Sequence, residues 1–218
     1  MRVAVTGGRG KVARAIIGGL DPSAFDVTVL DLPEHDAADL DQLVAATRGH
    51  DALVHCAWAE LGATYAARRV NPVNTQLTFN AYEAAAVNGL RRVVLASSNH
   101  AHRHDVRDTD GKVRASLPPV PDSPYGAEKV FMEALGRYYA ADRGLEVVCI
   151  RIGNVNDADR PNDDVPSRWI SHADLSRLVA SCLTAEVVPG GFQVVYGVSR
   201  QDVFDWSNPF GYEPLDGS

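Results

Sequence analysis

Tyr125 and Lys129 stand four residues apart in Tyr125-Gly126-Ala127-Glu128-Lys129. On a helix, that spacing sends both side chains out from one face. A phenol titrates near 10 and is a poor base at neutral pH. A neighbouring ammonium stabilises the phenolate, so Tyr125 becomes able to take a proton from a hydroxyl while a hydride leaves the same carbon. Ser98 lies 27 residues upstream in Ser97-Ser98-Asn99-His100 and would hydrogen-bond the reacting oxygen. Lysine is scarce here, at Lys11, Lys112 and Lys129 against 18 arginines, so a lysine at 129 reads as chosen. A Tyr-x-x-x-Lys pair alone arises often by chance; its weight comes from what surrounds it.

A hydride needs an acceptor, and the N-terminal residues offer a place for one. Thr6-Gly7-Gly8-Arg9-Gly10-Lys11-Val12-Ala13 follows a strand-like run and opens a helical pattern. Glycines let backbone N–H groups approach a diphosphate at the positive end of a helix. Gly7, Gly10 and Ala13 fit a G-x-x-G-x-x-G/A form, which on its own serves a tight turn as well as a cofactor. Asp31 adds specificity. It ends the second strand, 21 residues beyond Gly10, where a carboxylate accepts hydrogen bonds from an adenosine ribose and repels a ribose phosphate. NAD is therefore expected over NADP, with Arg9, a cation in the turn, as the counter-signal.

Strand-length apolar runs at Val3–Val5, Val27–Leu30, Ala52–His55, Val93–Ala96, Val147–Ile150 and Gln193–Tyr196 must position these groups. Helix-period segments separate them: Val12, Ala13, Ile16, Ile17 and Leu20; Leu40, Leu43 and Val44; Leu77, Ala81, Tyr82 and Ala85. A fourth is expected from Pro124 to about Asp142, with Ser123 as N-cap, Pro124 in the first turn, and Val130, Ala134, Leu135 and Tyr138 inward. The alternation predicts an α/β fold, a doubly wound, mostly parallel sheet with a small C-terminal substrate lobe. One domain over 1–218 is expected, with 1–153 binding the dinucleotide and 154–218 mostly substrate lobe, apart from a returning strand near 192–197. His100–Asp122 and Asn154–Arg168 break the alternation after strand ends, where such a sheet places its ligand. A solvated surface loop is the plainer reading of each.

The chain resembles the extended short-chain dehydrogenase/reductase family, in its NAD-dependent epimerase/dehydratase branch, and within it the uronate dehydrogenases and related sugar dehydrogenases. Beyond the glycine turn and Tyr-x-x-x-Lys, the resemblance rests on Val54-His55-Cys56-Ala57, Asn74 before Tyr82-Glu83-Ala84-Ala85, Ser97-Ser98-Asn99-His100, Arg151-Ile152-Gly153, Trp169-Ile170-Ser171-His172-Ala173-Asp174 and Val194-Val195-Tyr196-Gly197. It implies a Rossmann-like fold and a catalytic trio of Ser98, Tyr125 and Lys129. It implies Gly7, Arg9 and Gly10 at the diphosphate, Asp31 at the adenosine ribose, Asp36 at the base, and Ala57 and Ile152 along the cofactor, which Lys11, Val12, Leu32, Tyr125 and Lys129 also contact. Ser98, Asn99, His100 and Tyr125 would meet the substrate, together with Asn154, Arg160 and Arg168. Helix-to-helix pairing into a homodimer or higher homo-oligomer is implied as well.

The chain also departs from that pattern. Asn154 replaces a small serine, and Asp164, between Arg160 and Arg168, takes the place of a carboxylate-holding arginine. Trp58-Ala59-Glu60 stands in the loop where the family has a substrate-contacting serine, and Leu77 replaces a small residue. Glu60 and Asp164 would oppose a carboxylate substrate unless an arginine intervenes. Trp58 reads equally as a shield for the nicotinamide or as loop packing. His100, His102, Arg103 and His104 read as an anion clamp or, except for His100, as a solvated loop.

Composition narrows the function classes. The 218 residues carry a net charge of −7, which opposes general attraction to nucleic acid or an anionic membrane. No apolar run reaches the roughly 18 residues of a span. Three unpaired cysteines without CxxC spacing argue against a disulfide framework or a metal site, and for a reducing, cytoplasmic setting. The leading expectation is NAD-dependent oxidation of a small sugar, an aldose or uronic acid, at its ring hydroxyl to a lactone. An NAD-retaining epimerase or dehydratase on a nucleotide-linked sugar is the alternative, disfavoured by the 65 residues after Gly153. A non-enzymatic cofactor sensor is the third. Only four residues separate Asp31 from Asp36, so a strand in that interval is expected to be nearly absent.

Overall fold

The computed structural model describes residues 1–59 and 61–217. Strands and helices alternate as β1 (Arg2–Thr6), α1 (Lys11–Gly19), β2 (Asp26–Leu30), α2 (Leu40–Thr47), β3 (Ala52–His55), α3 (Leu61–Ala66), α4 (Pro72–Val87), β4 (Arg92–Ser98), α5 (Pro124–Arg143), β5 (Glu146–Ile152), α6 (His172–Thr184) and β6 (Phe192–Gly197). The six strands form one sheet in the order β2-β1-β3-β4-β5-β6. Every pairing is parallel, where a mostly parallel sheet was expected. From β1 the chain first turns outward to β2, then returns to β3 on the other side. That reversal opens a crevice at the C-terminal ends of β1 and β3. Among the described residues no strand lies beyond β2, in keeping with the short interval before Asp36, and Val29 on this edge is 41% exposed.

Side chains alternate across the sheet with period two. Val3, Val5, Val54, Val94, Val148 and Ile150 pack under α1 and α6. Ala4, Leu53, Val93, Leu95, Val147 and Cys149 face α2, α4 and α5. A smaller apolar cluster of Val113, Tyr196, Val198 and Phe204 ties the segment after β4 to the one after β6.

Two corrections concern helices. α5 begins as expected, with the Ser123 hydroxyl accepting from the Gly126 N–H at 3.1 Å and Pro124 in the first turn. Its buried face, however, is Lys129, Met132, Glu133, Gly136 and Tyr139. Val130 and Leu135 are only half-buried, while Ala134 and Tyr138 are exposed. The apolar stripe sought in the sequence lies toward solvent, because the inward face carries an ion pair. The second correction is α6, which the C-terminal reading left out. It caps on Ser171, whose hydroxyl accepts from Asp174 N–H, and packs against α1.

Candidate active site

Gly7 turns the chain at the end of β1 with φ +64°, a conformation that L side chains rarely adopt. A Cβ there would meet the Ala57 backbone at 2.6 Å, so the β1 and β3 ends could not close together. Behind this turn α1 presents its N-terminus. The Asp31 carboxylate locks the turn from the side, accepting Arg9 N–H at 2.7 Å and Leu32 N–H at 2.8 Å. Gly7, Arg9, Gly10, Asp31, Leu32, Asp36 and Ala57 thereby line one cavity of about 690 Å³. The bare backbone at the turn, the helix end behind it and the strand-end acid are the features a dinucleotide requires, so these residues fit NAD. Asn80 holds the Asp36 loop in place by donating to the Ala37 and Ala38 carbonyls.

Two further cavities continue the line. One of about 240 Å³ is bordered by Gly7, Gly10, Lys11, Val12, Ser98, Tyr125, Lys129 and Ile152. The other, about 640 Å³, is bordered by Lys11, Val12, Tyr65, Ser98, Asn99, His100, Tyr125, Asn154, Val165 and Arg168. Ser98 and Tyr125 border both, which places them at the junction.

Burial sets the electrostatics at that junction. Desolvation pushes the Tyr125 phenol up to about 12, and the Ser98 hydroxyl facing it pulls the other way. Lys129, 5% exposed, is pushed down by burial to about 7. Its ammonium donates to the Ala96 carbonyl at 2.8 Å and lies 5.6 Å from the Tyr125 ring centroid. Such a charge at that distance is worth about 3 kcal/mol at an effective dielectric of about 20, roughly a hundredfold in phenol acidity. A protonated Lys129 therefore favours the phenolate, and a neutral one withdraws that help.

Seventeen of the eighteen predicted positions line one of the three cavities. Arg160 does not: it is exposed in the loop after β5, where its carbonyl accepts from Asn156. Arg168 does reach the substrate-side cavity, hydrogen-bonded to His104 Nδ1 at 2.6 Å. Asp164 is exposed and borders none of the cavities, while Glu60 lies outside the described residues. Arg168 is carried by the Trp-x-Ser-His-x-Asp segment, whose backbone is stitched to β5. Asn154 N–H donates to the Arg168 carbonyl, and Ile170 N–H to that of Asn154. A side chain at Gly153 would collide with the same Arg168 carbonyl.

The structure brings three further residues to the site: Trp58, left open in the sequence between a nicotinamide shield and loop packing, and Tyr65 and Asp122, which were not predicted there. Trp58 stands edge-on to Tyr125, ring centroids 5.3 Å apart, with Lys129 Nζ 3.7 Å from its own centroid. Tyr65, in no motif, lies 5.4 Å from His100 and 5.9 Å from Tyr125 by ring centroids. Asp122 accepts from His100 Nδ1 at 2.8 Å and so leaves Nε2 as an acceptor when the imidazole is neutral. Asp122 adjoins the α5 cap, a position that looks like helix capping in the sequence.

Comparison with known proteins places this geometry among relatives. The sequence model of the NAD dependent epimerase/dehydratase family matches residues 3–188. An L-arabinose 1-dehydrogenase (NAD(P)(+)) of Haloferax volcanii is 35% identical, over 100% of this chain and 97% of that protein. A uronate dehydrogenase of Pseudomonas syringae pv. tomato is 30% identical over 100% of this chain and 82% of the relative. Among solved structures, a uronate dehydrogenase variant from Agrobacterium tumefaciens complexed with NAD superposes with a TM-score of 0.83 at 29% identity. It covers 99% of this chain and 85% of that one.

Proposed function

The chain belongs to the NAD dependent epimerase/dehydratase family, and we propose that it is an NAD-dependent sugar dehydrogenase oxidising a small aldose or uronic acid at C1. One observation carries the reading: Ser98 and Tyr125 border both the cofactor-side and the substrate-side cavities, with Lys129 one helical turn behind. Residues 1–153 hold NAD in this reading, and 154–218 supply much of the substrate side, except that α6 and β6 belong to the layers of the sheet.

Bound NAD supplies the acceptor for the hydride; the chain supplies everything else. Ser98 hydrogen-bonds the C1 hydroxyl and orients it toward Tyr125. Tyr125 takes the proton, its phenolate stabilised by the protonated Lys129. Asn99, and His100 held by Asp122, receive the ring hydroxyls. Lys11 and Arg168 line the substrate-side cavity with no carboxylate among its described lining residues, so a sugar acid is accommodated as well as a neutral sugar. Trp58 and Tyr65 wall the reacting centre against water.

The test is NADH absorbance with a panel of aldoses, uronic acids and sugar phosphates. Turnover is expected with at least one, and Tyr125→Phe should lower kcat about 10²–10⁴-fold. No NADH from any sugar would overturn the reading, as would full activity in the phenylalanine variant.

The exposed face of α5 supports a homodimer. Phe131 and Tyr138 are 42% and 54% exposed, and Phe79 and Val87 are exposed on the neighbouring α4. Side chains of that size are covered in an assembly. Phe131→Glu should shift the chain to monomer by light scattering; an unchanged mass would assign the interface elsewhere. The described residues contain no helix long and apolar enough to cross a membrane. Free thiols at Cys56, Cys149 and Cys182 support a reducing cytoplasmic setting.

A further inference from the structure

The adenosine end of the crevice holds a cation that the proposed NAD chemistry does not use. Arg9 sends its guanidinium across the end of β2, where Nη1 donates to the Leu32 carbonyl and Nη2 to Glu34 Oε2 at 2.9 Å. Both side chains of the pair are more than half exposed. Arg9, Asp31 and Leu32 line the same cavity, and Glu34 stands just outside its lining residues. The Arg9 backbone N–H is bound to the very carboxylate assigned to the ribose. A phosphate on the ribose 2′ oxygen would therefore enter beside Asp31 and Glu34, two negative charges. Arg9 is the cation in this cavity lining, and its fork is already turned away.

We propose that Glu34 sets cofactor selectivity through Arg9. By holding the guanidinium on the β2 end, it withholds the group that would receive a 2′-phosphate, and so adds to the direct repulsion by Asp31. This rests on the reading of the Asp31 end as the adenosine site. Planar bidentate capture of phosphate is what arginine does when its donors are free. An exposed ion pair is a weak latch, so the selectivity it adds is modest and salt-sensitive.

Calorimetric binding of two probes to the intact chain tests this without turnover: 5′-AMP, and adenosine 2′,5′-bisphosphate. Glu34→Gln is expected to tighten the bisphosphate about 3- to 10-fold while 5′-AMP changes less than about 2-fold. In an Arg9→Gln background the same change at 34 should give no gain. An unchanged bisphosphate affinity in Glu34→Gln would overturn the proposal. So would an equal gain in the Arg9→Gln background, which would make Glu34 a mere repelling charge. Failure of the wild-type chain to bind 5′-AMP would instead overturn the adenosine site itself, and the proposal with it.

Discussion

The two faces of the sheet are built on different principles. Under α1 and α6 the contacts in the middle of the face are hydrocarbon: Val3, Val5, Val54, Val94 and Val148 against Ala13, Ile16, Leu175, Leu178 and Val179. The buried Arg92 pairs with Glu146 at the N-terminal end of β4 and β5, where it also donates to the Cys182 and Leu183 carbonyls. Under α5 the strands start apolar and turn polar toward their C-terminal ends, at His55, Ser97 and Arg151. There Glu133 accepts from Arg151 Nε at 3.0 Å and Nη2 at 2.8 Å, and from the Ser97 hydroxyl at 2.6 Å. Both members of the pair are at least 95% buried, and Arg151 also reaches the Tyr196 hydroxyl. A hydrocarbon interface resists separation but tolerates small slides and rotations. A bidentate pair does not, and α5 is the helix that carries Tyr125 and Lys129. The polar face trades stability for a fixed placement of the helix that carries Tyr125 and Lys129.

The largest expected effect breaks that face directly. Glu133→Ala leaves Arg151 charged, buried and unpaired, and should cost about 3–5 kcal/mol in urea unfolding. On the opposite face Ile16→Val removes one methyl group and should cost about 0.5–1.5 kcal/mol, with kcat unchanged. The sharper variant replaces both partners, Glu133→Leu with Arg151→Met. Stability should return to near the wild-type value, since apolar replacement of a buried pair is often neutral or stabilising. Turnover should stay depressed, because α5 has lost its register. Full turnover in the double variant would reduce the ion pair to core filling and erase the contrast between the faces.

The same contrast explains what the sequence made legible. On α1 the pattern of Val12, Ala13, Ile16, Ile17 and Leu20 coincides with the packed face, because burial there follows hydrophobicity alone. The strands were legible for the same reason. On α5 hydrophobicity pointed to Ala134 and Tyr138, which face solvent, while Lys129 and Glu133 go inside. Nothing local marks Glu133 as buried: its partners lie on β4 and β5, and only the tertiary fold brings them near. The cavity lined by Gly7, Gly10 and Asp31 was legible because glycines and a strand-end acid occupy fixed positions in a β-α-β unit. Tyr65 on α3, Asp122 and His104 in the segment between β4 and α5, and Arg168 in the one between β5 and α6 have no such fixed spacing. Arg160 and Arg168 flank Asp164 alike in the sequence, and it took the backbone bonds between Asn154 and Arg168 to separate them.

A smaller effect tests the buried lysine. Lys129 titrates near 7 when folded and near 10.5 when unfolded. Between those values the unfolded chain holds a proton that the native chain has released, so native stability rises with pH across the window. Below about 7 both states are protonated and the contribution is flat. Lys129→Met removes this dependence. Urea midpoints at pH 7.5 and 9.5 should show the wild type gaining about 2–3 kcal/mol relative to Lys129→Met over that interval. Taking the difference between the two proteins cancels the buried thiols and phenols, which titrate alkaline in both. Ile16→Val, measured in the same way, should run parallel to the wild type, because it leaves every titrating group in place. A flat difference for Lys129→Met would mean that the amine keeps its proton in the folded chain. The ammonium would then be held by the Ala96 carbonyl and the Trp58 ring strongly enough to offset burial, and the catalytic cation would be present at every working pH.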